Sequence, residues 1–108
     1  MTTAQPGYVW QKTYQAVLIL ATSTKSLRER LGAAWWNQLN SLTGHPIPWD
    51  DLREKFEKIQ RDLLPEISRD SAPRLSEEKL REIAGEIVDL YDDACKRNVP
   101  LNSAVNTQ

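Results

Sequence analysis

The sequence predicts an all-α fold, a single-domain bundle of about four amphipathic helices across residues 1–108. Two observations carry that prediction. Apolar residues recur at spacings of three and four along four separate stretches, and each stretch has at least one chemical end signal. The links between stretches are short to moderate, and 108 residues suffice for one core of three or four helices. The expected ordered core is about residues 8–99, with frayed ends at 1–6 and 102–108 and a mobile linker at 65–75.

The first helix is expected from about Tyr8 to Thr22. Trp10, Tyr14, Val17, Leu18 and Ala21 follow the spacing of a buried stripe. Val9, Ala16, Ile19 and Leu20 add apolar character on another face. A helix apolar on two faces is either central in its bundle or half of a contact between copies. Val9, Ile19 and Leu20 are therefore candidates for a homodimer contact.

The second helix opens at Ser26, where "SLRE" forms a capping box: the serine hydroxyl accepts from the Glu29 amide, and the glutamate carboxylate reaches back. Leu27, Leu31, Ala34, Trp35, Leu39 and Leu42 make one stripe, and Gly44 suits a left-handed stop. "HPIP" at 45–48 is a rigid connector, because each proline restricts the residue before it.

The third helix starts near Pro48, with Asp50 and Asp51 at its positive end. Leu52, Phe56, Ile59 and Leu63 form its core face. Asp51–Lys55, Glu54–Lys58 and Glu57–Arg61 stand at favourable i,i+4 spacing, and Pro65 is expected to end or bend the helix. The fourth helix is capped by Ser76, with Glu77 and Glu78 in its first turn and Leu75 placed to staple onto Leu80. Its stripe is Leu80, Ile83, Ala84, Ile87, Leu90, Tyr91 and Ala94. Asn98 and Pro100 are expected to stop it.

Apolar residues make up 40% of the chain and charged residues 27%, an ordinary globular balance. The longest apolar run, Ala16 to Ala21, is six residues where a membrane span needs about 20. No membrane association is expected. With Lys12 the one charge before that run and a poor cleavage region after it, secretion is not expected either. One cysteine, Cys95, permits no internal disulfide and fits a reducing, cytoplasmic compartment.

The catalytic inventory is thin. His45 is the one histidine, and its only nearby carboxylates, Asp50 and Asp51, sit where helix-start acids belong. A small enzyme centred on His45 is thus a remote alternative. Cys95 reads as a half-buried structural thiol, since a helix C-terminus opposes thiolate formation. Structural zinc takes four Cys or His ligands, and the chain has one of each. No glycine-rich phosphate loop occurs. No cofactor, metal or catalytic residue is assigned.

Charge is uneven. Residues 1–49 carry +3 from Lys12, Lys25, Arg28 and Arg30 against Glu29, and residues 50–108 carry −4. A nucleic-acid accessory role for the basic half is the alternative function, but four cations are a small cluster and Asp50 and Asp51 would repel phosphate. On the fourth helix Glu78, Glu82, Glu86, Asp89 and Asp93 line the side away from its stripe and read as a solvated face.

"GAAWWNQLN", residues 32–40, is the most informative stretch. Trp35 lies in its helix stripe, and Trp36 points about 100° away, beside Leu39. Trp49 follows just beyond the connector. Trp36, Trp49 and Leu39 are the candidate partner-binding residues, and the expected function is a non-enzymatic protein–protein interaction module: a helical adaptor, regulator or neutralising partner of another protein.

Overall fold

The computed structural model describes residues 4–68 and 72–97. Four α-helices form an all-α bundle: α1 (Pro6–Thr22), α2 (Leu27–Asn37), α3 (Asp50–Ile67) and α4 (Glu77–Arg97). A 3₁₀ segment, Leu39–Thr43, follows α2. Among the described residues there is no strand. Helix α1 packs on α2 and α4, and α3 packs chiefly on α4.

The helix starts follow the sequence chemistry. The Ser26 hydroxyl accepts from the Glu29 amide at 3.2 Å while the Ser26 amide donates to the Glu29 carboxylate at 3.3 Å, completing the capping box. The Ser76 hydroxyl accepts from the Lys79 amide at 3.0 Å, and Leu75 packs against the core that includes Leu80. Trp49 is the N-cap of α3, so Pro48 precedes the helix while Asp50 and Asp51 occupy its first turn.

Four boundaries depart from the sequence reading. The second helical stretch breaks at Gln38, whose φ of −128° and ψ of −64° are not helical, and resumes as the tighter 3₁₀ segment. Gly44 then has φ −88° and ψ −12°, so no left-handed stop is used there. At the N-terminus, the Ala4 amide donates to the Pro46 carbonyl at 2.9 Å and Ala4 is buried, which ties residues 4–6 to the connector rather than leaving them frayed. Helix α3 continues through Pro65 to Ile67, so the proline does not end it. The expected linker therefore begins after Ile67. Residues 69–71, the Asn98 and Pro100 stop signals and the 102–108 tail lie outside the described residues.

Helix α1 buries the second of its two apolar faces rather than the one expected to form its stripe. Val9, Thr13, Ala16 and Leu20 are its buried stripe, whereas Tyr14, Leu18 and Ala21 are exposed and Trp10 and Val17 half-buried. Thr13 interrupts this second apolar face of the sequence by placing a hydroxyl in it. That hydroxyl donates back to the Val9 carbonyl at 2.9 Å, which removes the cost of burying it. Val9 and Leu20 consequently lie in the core of their own chain and offer no surface to a second copy; Ile19 is half-buried against the same core.

The rest of the core follows the predicted stripes. Leu31, Ala34, Trp35, Leu39 and Leu42 meet Leu52, Phe56, Ile59 and Leu63, with Leu80, Ile83, Ile87, Leu90 and Ala94 from α4. Leu31 and Ile87 are fully enclosed. Leu31→Ala and Ile87→Ala are each expected to lower unfolding stability by about 2–5 kcal/mol, measured by urea melts. A loss below about 0.5 kcal/mol at both positions would contradict this core.

Surface charge stitches α3 to α4. Asp51 pairs with Arg97 and Lys55 with Asp93, Lys58 bonds Glu86 at 2.6 Å, and Lys79 lies 3.7 Å from Asp62. These contacts run antiparallel along the two helices. Asp51, Lys55 and Lys58 thus reach across to α4 instead of forming their expected partners within α3. Glu86 and Asp93 leave the acidic row of α4 to meet them.

Candidate functional site

Four large apolar side chains are exposed among the described residues: Tyr14, Leu18, Trp36 and Val88. Trp36 is on α2, and the other three belong to a surface shared by α1 and α4.

The two neighbouring tryptophans separate as their helical offset requires. Trp35 is 0% exposed and stacks on Phe56 at 5.3 Å between ring centroids, while Trp36 is 49% exposed. The Trp36 indole N–H donates to the Ile67 carbonyl at 3.3 Å, so the ring lies over the C-terminal end of α3. Gly32, one turn earlier on α2, faces Ile67, where a Cβ would meet the isoleucine side chain at 3.6 Å. A small residue there lets the end of α3 approach α2 closely.

Trp36 shares this end of α3 with a buried ion pair. Glu66 is fully enclosed; its carboxylate accepts from the Arg28 guanidinium at 2.8 Å and from the amides of Arg74 and Leu75 at 2.9 and 3.1 Å. Arg28 also donates to the Glu66 carbonyl at 2.6 Å. Two of the carbonyls that a helix leaves unpaired at its C-terminus are therefore satisfied by side chains of α2, one by Arg28 and one by Trp36. Burial pushes the Glu66 carboxyl up, but the two amides and the guanidinium outweigh it and hold the group below its ordinary value. Sequence reasoning missed this pair, although Glu66 continues the Leu52, Phe56, Ile59, Leu63 spacing past Pro65 and so puts a carboxylate at a core position.

The other candidate partner residues are placed differently. Leu39 is fully buried, so it belongs to the core with the rest of its stripe and not to a docking surface. Trp49 is half-buried against the core with the Arg97 guanidinium over its ring at 5.5 Å. It is covered in part from within the chain, by the core and by Arg97, rather than left open as a partner-binding residue.

The chemically reactive side chains are occupied individually. His45 is exposed and meets the Tyr8 ring edge-on at 5.6 Å. Asp50 pairs with Arg53 and Asp51 with Arg97, neither with His45. The Cys95 sulfur accepts from the Trp10 indole N–H at 3.2 Å in a half-buried setting. A cleft of about 220 Å³ between α3 and α4 is lined by Lys55, Lys58, Glu86 and Asp89, where Lys58 pairs with Glu86 and Lys55 with the neighbouring Asp93. Among the described residues no three His, Cys, Asp or Glu side chains are grouped to hold a metal.

Three of the four basic residues of the N-terminal half are engaged within the fold. Arg28 is taken up by Glu66, and Arg30 donates to the Leu20 and Lys25 carbonyls at 2.8 and 2.9 Å. Lys12 lies over Tyr8 and within 3.5 Å of the Gln38 side-chain oxygen. No helix among the described residues is long and apolar enough to cross a membrane. No protein-family profile, characterised protein or solved structure matches the chain.

Proposed function

We propose that the chain is a non-enzymatic protein–protein interaction module of the cytoplasm, a small helical adaptor, regulator or neutralising partner that docks another protein through Trp36. The single observation that carries this reading is the half-exposed indole pinned by its N–H to the Ile67 carbonyl. A tryptophan already fixed in place loses little side-chain freedom on binding, and indoles in desolvated pockets are the commonest interface hot spots. Occupation of His45, Asp50, Asp51 and Cys95 by separate neighbours supports a binding role over an enzymatic one. Use of Arg28 and Arg30 inside the fold supports a protein partner over nucleic acid.

The test is recovery of associated protein from the native cell with wild-type chain and with Trp36→Ala. A stoichiometric partner whose affinity falls at least about 30-fold with Trp36→Ala, for a loss of about 2 kcal/mol or more, is the expected result. Equal recovery with both chains would overturn the reading.

A further inference from the structure

We propose that the α1–α4 face, separate from Trp36, takes a second copy of this chain in an antiparallel, two-fold dimer centred between Gly85 and Val88. Four observations lead there. The outward side of α1 (Gly7, Gln11, Tyr14, Leu18, Ala21, Thr22) carries no charge along its 17-residue helix, unlike α3 and α4. The contacts of Trp10 with Cys95 at 3.2 Å and Tyr14 with Tyr91 at 5.9 Å run antiparallel, and continuing them one turn sets Leu18 level with Val88. Both are exposed. The apolar surface thus continues across the seam from one helix to the other.

The third observation selects a second copy as the occupant. On α4 the exposed stripe beside this seam is Glu77, Arg81, Gly85, Val88, Asp92 and Lys96. Its spacing is four, four, three, four, four, and reads the same in both directions. The charges run negative, positive, then negative, positive, within the i,i+4 pairs Glu77–Arg81 at 3.8 Å and Asp92–Lys96 at 3.1 Å. Turned end for end, that pattern is its own complement. An antiparallel α4 pair centred between Gly85 and Val88 sets Arg81 against the partner's Asp92 and Glu77 against the partner's Lys96, twice each by symmetry. A parallel pair would set like against like.

Gly85 supplies the fourth observation. It weakens the middle of a 21-residue helix, and a Cβ there would meet nothing within 4 Å in its own chain. Nothing within the fold requires a glycine. In the antiparallel pair this bare stretch of backbone receives the partner's Val88, and Leu18 near the two-fold axis meets the partner's Leu18. The stripe extends about 28 Å at 1.5 Å per residue, and two helices give a face about 20 Å wide. That area is smaller than the roughly 800 Å² per partner of a standard interface, which fits a dimer of micromolar affinity.

Sedimentation equilibrium of the full chain from about 1 to 200 μM tests the proposal, with dimer expected at the upper end. Arg81→Asp and Asp92→Arg are each expected to weaken the dimer about tenfold, and the double variant to restore it, because only the swapped pair regains complementarity. Gly85→Glu, which the open space tolerates, is expected to leave a monomer with an unchanged helical spectrum. A 12.4 kDa monomer throughout the range would overturn the proposal. So would a dimer indifferent to Gly85→Glu, or a double reversal no tighter than the single ones.

Discussion

Trp35→Ala is expected to cost about 3–5 kcal/mol of unfolding stability, and Trp36→Ala, one residue along the same helix, about 1 kcal/mol. The first substitution empties the space beside Phe56 in the centre of the bundle, where an enclosed ring loses both its transfer free energy and its packing. The second removes a ring already half in water and one hydrogen bond to the Ile67 carbonyl. Both changes share backbone and helix propensity, so the difference isolates burial. For a domain of this size the expected separation is roughly 10 °C or more in melting temperature, read by thermal circular dichroism. Equal losses would mean that the end of α3 encloses Trp36 in solution, and the proposed anchor would lose its exposed ring.

That contrast was legible in the sequence because it depends only on helical geometry. Adjacent residues on an α-helix diverge by about 100°, so one indole of the pair had to leave the stripe. The capping box at Ser26 and the Ser76 cap were legible for the same reason, since each satisfies its amides within one turn. Helix α1 was not. Its two apolar faces differ by one threonine, and the face with the larger side chains looked like the core. Which face is buried was decided by α4, whose Tyr91 and Cys95 take Trp10 and Tyr14 at the edge of the bundle. Periodicity finds the faces of a helix, but the neighbours choose among them. Leu39 is buried as its place in the stripe with Leu31 and Trp35 requires, and its nearness to Trp36 along the chain does not put it on the same surface.

Glu66→Ala is expected to destabilise the fold by about 3 kcal/mol, because it strands the Arg28 guanidinium and the amides of Arg74 and Leu75 at a buried junction. This carboxylate joins α2, the last turn of α3 and the segment entering α4, and no other side chain among the described residues bonds all three. Pro65 makes the junction more important, since a proline near the end of α3 removes an amide from its last turn. The acid response carries the sign of the shift. Glu66 is held below its ordinary value in the fold, so its stabilisation is fully present above the unfolded carboxyl range and is lost as pH falls through the folded value. Wild-type stability is therefore expected to drop below about pH 4.5, the reference being the free glutamate range. Asp51, Asp62 and Glu29 are lowered as well and contribute to the same drop, but they are unaltered in Glu66→Gln. That variant keeps one acceptor oxygen and cannot titrate, so its urea midpoint should fall less steeply with acid than the wild type's. Parallel curves for the two proteins would show that Glu66 does not ionise within the folded junction, and that Arg28 is held there by packing and the Glu66 carbonyl alone.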